Sequence, residues 1–364
     1  MSDTRKRVLF MIPTLTGGGA ERVIVTILRH LDRRRFIPTL AVVDTRKAVF
    51  LDEVPEDIDF IDLRCTRVRY ALPKLVKLIW QRRPDVVLST LGQLNLALAV
   101  LRPLLPDGVR YLARETVVVS ADAGTKKWPR LWRSAHRHFY RGFDAVICQS
   151  RDVQEDLINQ FAVPLKKTAL IHNPVDLARI RQLAAIPLPV NDQGQVRLVS
   201  MGRLSHQKGF DMLIDALALC GRPTLRLTIL GEGPLRKELE QRAIAKGVAH
   251  QVEFAGFQKN PYPFLAAADA FVLSSRYEGL PNVILEALAC GTPVIALPAA
   301  GGVREILGEV SGCVIAERVT SESLAKAIAC FPFGIRVEYS VVERYGASSI
   351  TRLYEEEFIK DTPR

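Results

Sequence analysis

The sequence predicts an α/β protein made of two doubly wound parallel-sheet domains. Three observations carry that prediction: a strand-then-helix rhythm that runs twice along the 364 residues, a glycine-bearing strand-to-helix turn at the head of each half, and a polar break between the halves. The β-branched or leucine-rich runs of the first half are 8–12, 39–43, 86–89 and 145–148; those of the second are 197–201, 225–230, 270–273 and 293–296. The break, Leu188-Pro-Val-Asn-Asp-Gln-Gly194, has no hydrophobic period. The expected division is a first domain over 1–180, a linker over 181–196, a second domain over 197–340 and a helical segment over 341–364. No strand follows that last segment, so it is expected to pack back on the first domain. Ligands of doubly wound sheets lie at the C-terminal ends of the strands, and the two domains are expected to face one central cleft.

A 48% hydrophobic content is ample for two cores. The six cysteines (Cys65, Cys148, Cys220, Cys290, Cys313, Cys330) form no C-x-x-C pair, which points to a reducing cytoplasm and away from a structural zinc. Arg5-Lys6-Arg7 precedes an apolar run that Pro13 cuts short, so it reads as a first strand and not as a signal peptide. The apolar run 94–101 is far below the roughly 20 residues a bilayer needs, and no transmembrane helix is expected. The net charge of +11 lies wholly in the first half: residues 1–180 hold 30 basic and 19 acidic side chains, residues 181–364 hold 20 of each. A one-sided basic domain points to an anionic partner.

The first strand runs into Thr14-Leu-Thr-Gly-Gly-Gly-Ala-Glu-Arg22 and then an amphipathic helix with Val23, Ile24, Ile27, Leu28 and Leu31 inward. A tight turn accounts for one glycine; three in a row leave N–H groups open to a phosphate at a helix N-terminus. The dinucleotide fingerprint is excluded, because it needs glycine where Arg22 stands. The second half repeats the arrangement with strand 197–201 and Gly202-Arg-Leu-Ser-His-Gln-Lys-Gly-Phe-Asp211. There Arg203 and Lys208 flank the turn, placed to neutralise a diphosphate.

The densest cluster runs from Ser274 to Pro293. Glu278 lies in a loop after a strand, while Pro281 and Asn282 start a helix that Gly291 ends. Helical side chains lean toward their own N-terminus, so Glu286 is expected to address the ligand that Glu278 meets from the loop. Glu286 stands between Leu285 and Ala287 in an apolar helix, where a carboxylate needs a partner. The N–H groups around Leu280 to Val283 are expected to meet phosphate or sugar oxygens.

Together Gly17-Gly-Gly-Ala-Glu-Arg22, Ile171-His-Asn-Pro-Val-Asp176, Gly202-Arg-Leu with Lys208-Gly209, Gly231-Glu-Gly-Pro234 and the Glu278/Glu286 pair resemble glycosyltransferase family 4, the retaining group 1 enzymes of the GT-B fold. The resemblance covers nearly the whole chain. It implies two Rossmann-like domains that move a hexose-type sugar from a nucleotide-diphosphate donor, UDP favoured, to a lipid-linked glycan, lipopolysaccharide or polysaccharide acceptor. It implies no metal and no other cofactor. By the same resemblance Arg203, Lys208 and Glu278 are the catalytic set: the two cations bind the diphosphate and Glu278 a hydroxyl of the transferred sugar. Glu286 takes the ribose hydroxyls, Gly18 and Gly19 approach the diphosphate from the first domain, and backbone near Gly231, Glu232 and Phe257 holds the base. Gly279, Leu280, Asn282 and Val283 complete the donor set. Retention is implied through front-side attack, in which the departing phosphate helps take the acceptor proton. The acceptor-side histidine of many members has no counterpart in Tyr111-Leu-Ala-Arg-Glu-Thr116, so Arg114 or Glu115 is expected in its place, with Asn173 as a third acceptor-side candidate. The segment after Gly312 is also shorter than the family's.

Residues 126–141 (Lys126 to Arg141) read as a basic amphipathic helix, with Trp128, Trp132, Ala135 and Phe139 on one face and Arg130, Arg133, Arg137 and Arg141 opposite. A helix covering a sheet needs the same apolar stripe. A second basic cluster (Arg67, Arg69, Lys74, Lys77, Arg82, Arg83) in the same domain favours an anionic membrane surface, and the expected location is cytoplasmic, peripheral on the membrane's inner face. Among rival readings, Asp57-Ile-Asp59 matches the Asp-x-Asp motif of metal-dependent glycosyltransferases. Nucleic-acid binding is opposed by the lack of an aromatic sheet signature, zinc spacing or recognition helix. A nicotinamide oxidoreductase fails on glycine spacing despite Asp44. A non-catalytic nucleotide-sugar or lipid-binding relative is opposed by the intact Arg203, Lys208, Glu278 and Glu286.

Overall fold

The computed structural model describes residues 4–188 and 194–361; the centre of the expected linker, 189–193, lies outside them. The chain divides into two compact units, Met1–Pro174 with Tyr345–Arg364, and Val175–Arg344.

The first unit carries strands β1 (Lys6–Thr14), β2 (Phe36–Asp44), β3 (Asp59–Asp62), β4 (Val86–Thr90), β5 (Arg110–Arg114), β6 (Ala145–Cys148) and β7 (Thr168–Leu170). Among the described residues they form one sheet in the order β3-β2-β1-β4-β5-β6-β7, every neighbour parallel. Helices α1 (Gly19–His30), α2 (Val68–Arg82), α3 (Gly92–Leu101), α4 (Val119–Gly124), α5 (Pro129–Phe139) and α6 (Arg151–Phe161) connect them. Parallel strands are covered on both faces, which is why their sequences read as unbroken apolar runs. On β1, Val8, Phe10 and Ile12 join the core on one side of the sheet, and Leu9 and Met11 the core on the other. The strand order reverses direction between β1 and β4, and that switch point is where doubly wound sheets bind ligands.

The second unit opens with α7 (Leu177–Ala184), capped by Asp176 through the Arg179 N–H (3.1 Å). It continues through β8 (Val196–Met201), α8 (Phe210–Cys220), β9 (Leu225–Leu230), α9 (Arg236–Ala245), β10 (Val252–Gly256), α10 (Tyr262–Ala267), β11 (Ala270–Leu273), α11 (Asn282–Ala289), β12 (Val294–Ala296), α12 (Val303–Leu307), β13 (Val314–Ile315) and α13 (Ser321–Ala329). The sheet order is β10-β9-β8-β11-β12-β13, again all parallel, so its switch point falls between β8 and β11. The last helix, α14 (Ala347–Ile359), belongs to the first unit. Its Ile350, Tyr354 and Phe358 enter the core beside Phe10 and Phe36, with Phe358 edge-on to both rings at 5.8 and 5.9 Å. A buried ion pair, Arg110 Nη2 to Glu357 Oε1 at 2.5 Å, ties the helix to β5.

The first boundary differs from the expected 180. Residues 175–180 enter the second unit because Ile180 buries its side chain there, and α7 is held to the neighbourhood of α10 by Asn260 Nδ2 donating to the Leu183 carbonyl (3.1 Å). On the return, residues 341–344 also stay with the second unit, and the crossing comes at Tyr345. The basic helix is shorter than expected as well. Pro129 stands at its first turn and Trp128 at its N-cap, so 126–128 lie outside it.

Candidate active site

In the second unit the sequence-predicted residues converge on the switch point. The exit of β8 is the loop Gly202–Gly209 and the exit of β11 is the loop Ser274–Leu280. Between them Lys208 Nζ lies 2.6 Å from Glu278 Oε1. Ser275 Oγ donates to the same oxygen at 2.6 Å, and Glu278 Oε2 makes no hydrogen bond among the described residues. Ser274 Oγ donates to the Lys208 carbonyl (2.9 Å), Gln207 Nε2 to the Tyr277 carbonyl (3.0 Å), and Arg276 holds Asp211 through both Nη atoms at 2.9 and 2.6 Å. The two loops are thus braced as one body, which fixes the charged pair without help from a ligand. Gly209 makes this possible: at φ 63° it lies so close to the Ser274 carbonyl that a Cβ would collide with it.

Arg203, in the same β8 loop, is exposed and makes no ion pair or hydrogen bond among the described residues. The loop after β9 is laced to it. Leu204 N–H donates to the Glu232 carbonyl (2.9 Å), and Gly231 N–H to the Gly256 carbonyl (2.7 Å). Gly231, at φ 137°, admits the Gly202 carbonyl where any Cβ would sit. This brings Gly231, Glu232 and, beside Gly256, the exposed Phe257 to one rim. The Glu232 carboxylate is paired with Arg236 at 2.8 Å. Gly279 and Leu280 are buried, and Asn282 and Val283 form the half-exposed first turn of α11. Glu286 is buried on that helix, and burial, with the Glu286 charge adding to it, pushes the Cys290 thiol up to about 12.

In the first unit the glycine turn is built differently from the expected open phosphate cradle. Glu21, buried in the first turn of α1, returns its carboxylate to the Gly18 N–H and also accepts from Thr14 Oγ1 (2.6 Å) and the Thr16 N–H (3.1 Å). The chain's own anion therefore occupies the Gly18 N–H, one of the donors that the glycines were expected to offer. Gly19 opens the helix. The spacing of a capping box, position 18 to position 21, was the signal for this in the sequence.

The acceptor-side candidates form a buried network at the ends of β4, β5 and β6. Arg114 is 0% exposed and donates to Tyr354 OH (3.0 Å), Thr90 Oγ1 (3.2 Å) and Asn173 Oδ1 (2.6 Å). Asn173 Nδ2 passes on to Gln149, whose Nε2 donates to the Glu115 carbonyl. Glu115 is 1% exposed; its Oε1 accepts from Asn95 Nδ2 (2.7 Å) and from Tyr140 OH. Burial raises the Glu115 carboxyl to about 7, against the pull of those two donors. The structure thus places Arg114 and Asn173 inside the unit, where they join the chain's crossing segment to α14 and are closed to direct contact. Neither Tyr354, 240 residues away, nor Tyr140 and Asn95 announce themselves in the sequence pattern.

Along α5 and the residue after it the inward stripe is Trp132, His136 and Tyr140, tilted ring to ring with centroids 4.9 and 4.6 Å apart, and it excludes Trp128. Trp128 is 66% and Leu131 68% exposed, beside exposed Lys127, Arg130, Arg133, Arg137 and Arg141. In the Asp57-x-Asp59 motif Asp57 pairs with Arg33 (2.5 Å) and Asp59 with Arg82 (3.0 Å), at the N-terminal end of edge strand β3. No described helix is long and apolar enough to cross a membrane.

The comparisons with known proteins agree with this geometry. The family model described as Glycosyltransferase Family 4 matches residues 17–179, and that described as Glycosyl transferases group 1 matches 189–331. The chain is 28% identical over 247 residues to an uncharacterized glycosyltransferase of Methanocaldococcus jannaschii, a match spanning 64% of this chain and 60% of that protein. It is 28% identical over 309 residues, 82% of each chain, to the N-acetylgalactosamine-N,N'-diacetylbacillosaminyl-diphospho-undecaprenol 4-alpha-N-acetylgalactosaminyltransferase of Campylobacter jejuni. It is 36% identical over 163 residues to a lipopolysaccharide core biosynthesis glycosyltransferase of Rhizobium meliloti, covering 45% of this chain and 46% of that one. The crystal structure of Anabaena HepE in complex with UDP and glucose is similar in fold, with a TM-score of 0.78 at 20% identity over 97% of this chain and 99% of that one. With one family model on each half, the chain belongs to glycosyltransferase family 4 and is a group 1 glycosyltransferase of the GT-B fold.

Proposed function

We propose that the protein transfers a hexose-type sugar from a nucleotide-diphosphate donor, UDP-sugar by preference, to a lipid-linked glycan, lipopolysaccharide or polysaccharide acceptor during cell-envelope glycan synthesis. The observation that carries this is the Lys208–Glu278 pair across the β8–β11 switch point, with Glu278 Oε2 unbonded and Arg203 unpaired. Arg203 and Lys208 neutralise the charge that grows on the departing diphosphate, the task a divalent ion performs in metal-dependent transferases, so no metal is required. Glu278 Oε2 accepts a hydroxyl of the sugar, which orients the anomeric carbon. The first turn of α11, with Gly279, Leu280, Asn282 and Val283, lies beside sugar and phosphate oxygens; Glu286 holds the ribose, and Gly231, Glu232 and Phe257 the base. The reaction retains configuration, with the leaving phosphate taking the acceptor proton. The acceptor binds to the first unit. The names of the Campylobacter and Rhizobium relatives support a lipid-linked or lipopolysaccharide acceptor, and the UDP complex of the Anabaena protein supports the donor.

A thermal-shift panel of UDP, GDP, ADP and their sugar conjugates, with chelator present, tests the donor half. At 100 times its dissociation constant a ligand stabilises by about 2.7 kcal/mol. UDP conjugates are expected to raise the melting temperature of the wild type and to do so much less for Lys208→Ala. A chelator-abolished shift, or no nucleotide shift at all, removes the reading. The protein also works at the cytoplasmic face of a membrane through α5, where Trp128 and Leu131 stand exposed among cations. Binding to anionic liposomes is expected to be lost when Arg130, Arg133 and Arg137 become Glu; unchanged binding refutes this.

A further inference from the structure

At the exit of β4, Leu91 takes φ 75°, a conformation that side chains other than glycine seldom adopt, and the chain turns at once into α3 at Gly92. Gly92 is half-exposed, and a Cβ built on it would find one heavy atom within 4 Å: Oε2 of Glu115, at 3.7 Å. The space over Gly92 is therefore a notch, open on its outer side and floored by a carboxyl oxygen of a residue that is otherwise buried. Asn95 and Tyr140 both bind Oε1, and Oε2 has no hydrogen-bond partner among the described residues. The Gly92 and Gln93 N–H groups, first in α3, have none either. The notch lies on the β4 side of the first unit's switch point, where doubly wound sheets take ligands.

The chemistry of the notch is selective. An anion there meets the Glu115 carboxyl, and an ammonium meets the positive end of α3. A neutral hydroxyl suits both, because it donates to the carboxyl oxygen and presents its own lone pairs to the helix end. We propose that Glu115 Oε2 and the first turn of α3 form a subsite for one hydroxyl of the saccharide acceptor, with bare Gly92 keeping Oε2 within reach. The subsite rests on the reading of the first unit as the acceptor-binding one.

The test uses the whole enzyme, UDP-glucose, UDP-galactose and UDP-N-acetylgalactosamine as donors, and a panel of octyl glycosides with their monodeoxy analogues as acceptors. Gly92→Ala introduces a methyl group that fits without collision and favours the helix, so its melting temperature is expected to match or exceed the wild type's. On whichever glycoside the wild type uses, the variant is expected to raise acceptor KM at least tenfold and leave donor KM within twofold. One monodeoxy analogue should bind the wild type at least tenfold more weakly than its parent, and that difference should vanish in Gly92→Ala and shrink in Glu115→Gln. An unchanged acceptor KM in Gly92→Ala overturns the subsite, as does an equal rise in donor and acceptor KM. A wild type that shows the Lys208-dependent nucleotide shift yet glycosylates no member of the panel overturns the acceptor reading, and the subsite with it. Loss of the nucleotide shift itself would be a failure at the second unit.

Discussion

The exits of β8 and β11 in the second unit and those of β1, β4 and β5 in the first carry comparable numbers of charged groups, and use them in opposite ways. Lys208, partly open to solvent, and the buried Glu278 are paired across two braced loops, with Glu278 Oε2 unbonded and Arg203 exposed beside them. Glu21 and Arg114 are closed from solvent, the first folded into its own turn and the second into a network of neutral partners, and Glu115 is buried with Oε1 held in that network and only Oε2 left over. Lys208 keeps contact with solvent and Arg203 has no ion pair to give up, so a phosphate can draw on both cations. Buried groups are committed, since removing one strands the others. Charge at a strand end is thus evidence for ligand contact in the second unit, and chiefly for architecture in the first.

The comparison breaks most sharply if Arg114 is dispensable. Arg114→Met leaves the Tyr354 hydroxyl, Thr90 and Asn173 short of a donor, and a loss of about 3–4 kcal/mol is expected in urea denaturation; a loss under about 1 kcal/mol would return Arg114 to the ligand-facing class. Glu115 gives the next effect. Its carboxyl is raised from 4.5 to about 7 by burial, with Asp122 adding and Arg114, Asn95 and Tyr140 opposing. Between those values the folded chain holds a proton that the unfolded chain has released, so the stability this group contributes is full below about 4.5 and drains as pH rises to about 7. Wild-type stability should fall by up to about 3 kcal/mol across that window relative to Glu115→Gln, read from denaturation midpoints at each pH. Arg203→Ala sharpens the other side: kcat/KM is expected to drop about 100-fold, roughly 2.7 kcal/mol, while the melting temperature without ligand stays put. Smallest is Glu21→Gln, which keeps the capping oxygen but not the charge and should cost about 1 kcal/mol. If it instead abolishes donor binding with the fold intact, the turn faces the ligand after all.

The same contrast decides what the sequence disclosed. The strands around 8–12, 86–89, 145–148, 197–201, 225–230 and 270–273 were legible because both faces are covered and most positions are apolar. Edge strands β7 and β13 escaped the pattern, being two or three residues long and open on one side. β5 begins and ends with arginine, which reads as polar surface until Glu357 and Tyr354 supply partners from the far end of the chain. At the site, Arg203, Lys208 and Glu278 were legible because each sits one turn after a strand whose end is predictable. The Glu21 cap was written in its spacing, and the turn's three glycines drew the reading toward phosphate. Trp128 was grouped with Trp132, Ala135 and Phe139 on one apolar face because the helix was started three residues early; Pro129 marks the true start.

Residues 345–361 also set an order of events during synthesis. Arg110 and Arg114 leave the ribosome about 240 to 250 residues before the groups that satisfy them, Glu357 and Tyr354. Residues 175–344 need nothing from that late segment to close their own sheet. The usual N-terminal-first sequence of folding is therefore reversed here: the second-made unit is complete while the first-made one still waits, two buried guanidinium groups uncovered, for the last helix to be translated.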